Sequence, residues 1–166
     1  VAEWEALSAD HHFAGHSFQV ERYGDHPRQT LELFKAHPGA AGNGVAVFIH
    51  GGFWRAMQRE QSRFMATPFL KRGYDCAVVE YRLMPEFALR ALVDDAAAAL
   101  RYLADNAGKL MLAGPMVIAG HSAGAHLALY ATMQLRQAGA SLGQSALIFF
   151  SGVFDIYPVA PTAIGN

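Results

Sequence analysis

Met116-Val117-Ile118-Ala119-Gly120-His121-Ser122-Ala123-Gly124-Ala125-His126-Leu127 is the stretch on which the fold turns. Its first four residues are an apolar run closed by glycine, the pattern of a strand buried on both faces. Ala123 to Gln137 then reads as a helix, with Gly139 as its stop. Between them, Gly120-His121-Ser122-Ala123-Gly124 matches G-x-S-x-G in the strand-to-helix context that this motif requires. A serine on so sharp a turn is pushed up above the sheet edge, and the chain can pass only if its neighbours are small. Gly120 and Gly124 supply that room. The following helix aims unpaired N–H groups and a partial positive charge at the serine. Ser122 is therefore the expected nucleophile.

The same alternation extends outward. Val45–Ile49, Cys76–Val79 and Ala146–Phe150 are further short apolar runs, each read as a buried strand. Gln61–Arg72 carries Phe64, Met65, Phe69 and Leu70 at helical spacing, with Gly73 as a stop and Pro68 predicting a kink or a late start. In Ala88–Leu103 the residues Leu89, Leu92, Val93, Ala96, Leu100 and Leu103 form one stripe. Strand and helix in alternation imply an α/β architecture, a mostly parallel sheet with flanking helices. Phe18–Arg22 and Thr30–Phe34, joined by a turn at Gly24–Pro27, read as an antiparallel edge. Asp94 and Asp95, inside the second helix, are expected to face solvent or to pin loops.

A second motif follows the Val45–Ile49 strand: His50-Gly51-Gly52-Phe53-Trp54. A glycine-rich loop here can offer backbone N–H groups to a carbonyl oxygen that becomes negative on attack. Gly51, Gly52 and Phe53 are the candidate oxyanion hole, with the Ala123 N–H as partner donor. His50 precedes the serine, whereas this architecture takes its base from after it, so His50 reads as a structural hydrogen-bonding residue. Phe53 and Trp54 fit either a pocket wall or core packing under the loop.

These two motifs resemble those of kynurenine formamidases (arylformamidases), a branch of the α/β-hydrolases. His50-Gly51-Gly52-Phe53-Trp54 looks like their HGGxW motif, and Gly120 to Ala128 is similar to their nucleophile region. Ser151-Gly152-Val153-Phe154-Asp155-Ile156-Tyr157-Pro158 resembles the segment after the next strand, and Tyr81-Arg82-Leu83 also fits. The resemblance covers roughly residues 18–166. It implies an α/β-hydrolase fold and hydrolysis of a formyl amide on an aromatic amine, such as N-formylkynurenine, to kynurenine and formate. Phe53 stands where esterases of the hormone-sensitive type have a third glycine.

The bulk numbers narrow the alternatives. An apolar fraction of 52% over 166 residues is enough for one buried core. A net charge of −1 offers no field for phosphates, so nucleic acid is not an expected partner. No stretch suggests a membrane span. Cys76, the single cysteine, excludes an internal disulfide and reads as an inert core residue, in keeping with a reducing, cytoplasmic setting. The first residues lack a basic region followed by an apolar one, but also lack an initiator Met, which leaves an upstream signal open. His12 and His16 have H-x-x-x-H spacing. With Gly15 between them and no Glu after the first, no metal site is expected, and no cofactor.

A triad needs a base and an orienting acid after the serine. After Ser122 the sequence holds one histidine, His126, on the elbow helix itself, and one acid, Asp155. Asp155 is a weak acid candidate, since the resemblance places the acid one strand later. Residues 1–166 thus read as a single partial α/β-hydrolase domain. At ~30 residues per strand–helix unit, two missing units make the native protein longer by roughly sixty to a hundred residues. They would hold the acid and the histidine, and the chain alone would be inactive or nearly so. The expected partner is a small acyl amide or ester substrate, and a homodimer is left open. Two alternatives stand beside the formamidase: a general carboxylesterase of the same fold, and a non-catalytic hydrolase-like binding protein.

Overall fold

The computed structural model describes residues 17–158, together with Glu3 and Ala6. His12 and His16 lie outside the described residues. Six strands form one sheet: β1 (Phe18–Arg22), β2 (Thr30–Phe34), β3 (Val45–Ile49), β4 (Asp75–Val79), β5 (Met116–His121) and β6 (Ser145–Phe150). Their spatial order is β1-β2-β4-β3-β5-β6. β1 and β2 are antiparallel to each other, and β2 is antiparallel to β4. The pairs β4/β3, β3/β5 and β5/β6 are parallel. The expected antiparallel edge and parallel body are both present.

Helices cover the two faces, and the alternation of side chains along each strand shows how. Val45, Val47 and Ile49 of β3 point into the larger core with Ala77 and Val79 of β4. That core is completed by α2 (Leu89–Asp105) and α3 (Ala123–Gln137), through residues such as Leu92, Leu100, Leu103, Leu127 and Leu135. Ala46 and Phe48 point the other way, against Cys76, Val78, Ala66 and Leu70. A helix on each side of a mostly parallel sheet removes both faces from water. None of the described helices is long and apolar enough to cross a membrane.

Two expectations need correction. The segment Gln61–Arg72 is not one helix. A 3-10 helix over Arg59–Ala66 precedes a four-residue α1, Thr67–Leu70, with Pro68 in its first turn. Proline is tolerated there because the first-turn N–H groups have no intrahelical acceptor. The apolar run of β6 is also not buried. Leu147, Ile148, Phe149 and Phe150 are 36–40% exposed, because β6 is the outer strand of the sheet among the described residues.

Buried charges tie the loops to this frame. Asp75, at the start of β4, accepts from Lys35 Nζ and from the Ala36 N–H. Asp95 accepts from the Arg82 guanidinium and backbone N–H and from the Gln29 amide, so it pins loops as expected. Asp94 instead meets Arg90 and Gln134 near the surface. Cys76 is fully buried, and burial pushes its thiol far above the ordinary value, as an inert core residue requires.

Candidate active site

The elbow has the predicted geometry. Ser122 sits between β5 and α3 with φ 52° and ψ −118°, a left-handed conformation that costs energy for any residue with a Cβ. Its N–H donates to the Phe150 carbonyl at 2.8 Å, which ties the turn to the end of β6. A Cβ on Gly120 would lie 2.5 Å from the Gly124 carbonyl oxygen, and one on Gly124 would lie 2.1 Å from that of Ile49. Both positions therefore require glycine, for contact with backbone that cannot move aside. Ala123 is the first residue of α3, so its N–H has no intrahelical acceptor and stays available beside Ser122.

The glycine loop lies directly against this turn. A Cβ on Gly51 would fall 2.9 Å from the His121 carbonyl oxygen and 3.2 Å from Ser122 Cβ. Gly52, Phe53 and Trp54 then follow with φ of 100°, 54° and 61°, three consecutive left-handed residues. The Gly52 carbonyl accepts from the N–H groups of Arg55 and Ala56, which closes the loop. The structure thus brings His50, Gly51, Gly52, Gly120, Ser122, Ala123 and Gly124 into one neighbourhood.

The aromatic pair divides between the two readings left open. Trp54 is 3% exposed and packs edge-on against the His126 ring at 5.4 Å, so it is core. Phe53 is 57% exposed beside the loop, free to meet a ligand. His126 also lies against Tyr130, and burial lowers its ionisation below the ordinary histidine value. A buried, neutral ring wedged between Trp54 and Tyr130 is a structural histidine. Burial lowers His121 in the same direction. Asp155 is exposed, and its Oδ1 accepts the Tyr157 N–H at 3.0 Å, a local turn after β6.

Beneath the loop lies a polar cluster that the sequence motifs did not announce. His50 is fully buried and stacked on Tyr81, with ring centroids 4.3 Å apart. The Tyr81 hydroxyl donates to the carbonyls of His50 at 2.9 Å and Gly51 at 3.1 Å. Glu80 accepts from Arg28 Nη2 and from the Arg59 and Tyr81 N–H groups, and faces His50 Nε2. Burial raises the Glu80 carboxyl, but the hydrogen bond and charge of His50, the Arg59 N–H and Arg28 outweigh it and leave it below the usual range. The visible signal was a charged residue ending the apolar run Cys76–Val79. Its partners lie at distant positions in the chain.

Known proteins share this frame. The family model BD-FAE matches residues 31–159. Kynurenine formamidase of Drosophila melanogaster is 33% identical over 137 residues, covering 81% of this chain and 45% of that protein. Kynurenine formamidase of Salmo salar is 23% identical, and 48% of it is covered. The chain therefore spans about half the length of the curated relatives it matches. Among solved structures, esterase B from Lactobacillus rhamnosis superposes with a TM-score of 0.79 at 27% identity, covering 98% of this chain and 56% of that one. A bacterial heroin esterase gives 0.76 at 28% identity, covering 90% and 48%. These matches agree with the mostly parallel mixed sheet and its flanking helices: the chain has the α/β-hydrolase fold and belongs to the BD-FAE family.

Proposed function

We propose that the protein containing this chain is a serine hydrolase of small acyl amides or esters, most closely of the arylformamidase type. The observation that carries this reading is the contact of the glycine loop with the elbow. A Cβ on Gly51 would lie 2.9 Å from the His121 carbonyl oxygen and 3.2 Å from Ser122 Cβ, so glycine lets the loop come this near. That nearness supports the Gly51–Phe53 loop and the Ala123 N–H as the donors of the oxyanion hole. In the reaction, Ser122 Oγ attacks the acyl carbon and gives its proton to a base. The carbonyl oxygen becomes the oxyanion, and collapse expels the amine or alcohol, which takes that proton. Water then attacks the acyl-serine, releases the carboxylic acid and restores the hydroxyl.

The base and its acid belong, in this proposal, to the half of the relatives' length that the chain does not span. Asp155 stays the weaker acid candidate. The exposed Phe53 ring beside the loop suits an aryl leaving group, which supports N-formylkynurenine as substrate. The carboxylesterase reading is supported by the structural neighbours and by the isoprenylcysteine alpha-carbonyl methylesterase of Arabidopsis thaliana, 28% identical over 123 residues. A comparison of N-formylkynurenine with a p-nitrophenyl ester separates the two, using the full native gene product. Formamide turnover no faster than background sinks the formamidase reading. Labelling by a fluorophosphonate probe, lost in Ser122→Ala, is expected for either enzyme. A protein that resists the probe is the non-catalytic relative, acting as a binding protein.

A further inference from the structure

We infer that Ser151 is a second hydroxyl of the active site, a catalytic residue that holds the water which hydrolyses the acyl-serine. The inference deepens the hydrolase reading and rests on it for the reaction served. Ser151 opens the segment that runs to Pro158, a motif that the elbow and the glycine loop leave unused.

Ser122 and Ser151 stand at the same edge of the sheet. β5 and β6 are parallel, and their last paired residues are His121 and Phe150. Each serine is the next residue along its strand, and paired strands lie about 4.8 Å apart. The Ser122 N–H still reaches the Phe150 carbonyl at 2.8 Å, so the two chains have not separated there. Both serines are left-handed, Ser122 with φ 52° and Ser151 with φ 48°. Two further contacts fix the turn after β6. A Cβ on Gly152 would lie 3.1 Å from Ala125 Cβ on α3, and the Phe154 ring folds back on Phe149 with centroids 5.1 Å apart. None of these contacts uses the Ser151 side chain. Ser151 is exposed, and its hydroxyl has no hydrogen-bond partner among the described residues. A glycine would fit such a turn without strain. Strained residues persist only where the surroundings impose them, and they gather at reacting centres. An exposed, unpaired hydroxyl held in strain beside the nucleophile is available to a reactant.

The strand order points to the reactant. The sheet runs β3-β5-β6, so the glycine loop after β3 and Ser151 after β6 flank Ser122 on opposite sides. With the oxyanion turned toward the glycine loop, the leaving group departs on the β6 side, and the water that replaces it enters there. In deacylation the water oxygen attacks the acyl carbon, and one of its protons goes to the base. The intermediate then collapses, the bond from carbon to Ser122 Oγ breaks, the base returns the proton to Oγ, and the carboxylic acid leaves. The water's second hydrogen needs an acceptor, and a lone pair of Ser151 Oγ supplies it. Ser151 itself makes and breaks no bond; it holds the water against the acyl carbon in the orientation of attack. The departing amine or alcohol is positioned by its own covalent bond until it leaves, so acylation has less need of this hydroxyl.

Rapid-quench mass measurement tests the role. The full native gene product is mixed with whichever of N-formylkynurenine and p-nitrophenyl acetate the wild type turns over faster, and the acylated fraction is read against product release. Ser151→Ala should slow deacylation about three- to tenfold, the loss of one neutral hydrogen bond, while acylation keeps its rate. The acyl-enzyme fraction then rises, and kcat/KM and the rate of fluorophosphonate labelling stay at their wild-type values. Ser151→Gly, which relieves the strain, should show the same deficit and serves if Ser151→Ala does not fold. An acyl-enzyme fraction that stays at the wild-type level in both variants, or in the glycine variant where it alone folds, overturns the inference. So does a fall of kcat/KM and labelling as large as that of deacylation, the mark of a structural role. A wild type that the fluorophosphonate probe does not label refutes the hydrolase reading instead.

Discussion

Replacing Ser122 with glycine should stabilise the protein while abolishing its reactivity. Ser122 is held at φ 52° and ψ −118°, where a Cβ is crowded by the flanking peptide groups. Non-glycine residues in such regions cost about 1–3 kcal/mol, and they persist only when the surroundings impose them. Here the imposing contacts are the 2.8 Å hydrogen bond from the Ser122 N–H to Phe150 and the glycine packing at Gly51, Gly120 and Gly124. None of them needs the serine side chain. Ser122→Gly therefore keeps the turn and releases the strain. Glycine's greater freedom when unfolded costs about 0.5–1 kcal/mol, which leaves a net gain of up to roughly 2.5 kcal/mol. At ~2–4 °C per kcal/mol for a protein of this size, Tm rises by up to about 10 °C. Ser122→Ala is the control: it also removes the hydroxyl but keeps the Cβ, so its Tm should stay close to that of the wild type. Thermal unfolding of the three proteins, paired with fluorophosphonate labelling, reads both effects. A glycine variant no more stable than the alanine variant would falsify the strain argument.

Further expectations concern the same neighbourhood. Gly124→Ala places a Cβ 2.1 Å from the Ile49 oxygen and should cost about 1–3 kcal/mol or more and slow labelling, whereas Gly108→Ala meets nothing within 4 Å and should be neutral or slightly stabilising. Equal melting curves for the two variants would contradict the packing account. Trp54→Ala empties the space against His126 and should cost about 3–5 kcal/mol in chemical denaturation; a loss below 1 kcal/mol would mean that the ring is not core. Glu80 is held below its ordinary value, so its contribution is fully present above the unfolded carboxyl value of about 4.3 and is lost as pH falls through the folded one. Glu80→Gln should flatten the acid limb of stability against pH. His126, lowered by burial, acts in another window: stability falls as pH drops below the unfolded value of about 6.5 toward the folded one, and His126→Phe should remove that slope.

Much of the frame was legible because each strand announces itself locally. Val45–Ile49 and Met116–Ala119 are short apolar runs closed by glycine or a turn, and tight backbone contacts confirm why glycine is needed at 120 and 124. What escaped were properties set by distant chain segments. The exposure of β6 depends on which strand lies beyond it, not on its own apolar composition. The late start of α1 was legible in Pro68, whereas the 3-10 helix before it was not. Glu80 carried no reading from the sequence, because Arg28, His50 and Arg59, which give it a role, reach it across 52, 30 and 21 positions.

Where local rules are broken is itself informative. Among the described residues, six non-glycine residues have positive φ: Phe53, Trp54, Met57, Met111, Ser122 and Ser151. Three lie in the glycine loop or its continuation, one is the serine, Ser151 follows the Phe150 carbonyl that holds the elbow, and the sixth, Met111, lies apart between α2 and β5. A chain selected for stability alone would place glycine or asparagine at such positions. Strain of about 1–3 kcal/mol at each of several neighbouring residues is sustained only by dense surrounding contacts. The buried Glu80–His50–Tyr81 cluster supplies them from below, and the glycine contacts of the elbow supply them from the side. The β3 and β5 strands beneath are paired in parallel over Val45–Ile49, which gives the strained loops a rigid base. Four of the six strained residues, Phe53, Trp54, Ser122 and Ser151, therefore fall in the stretches that the motifs mark, by an independent physical route.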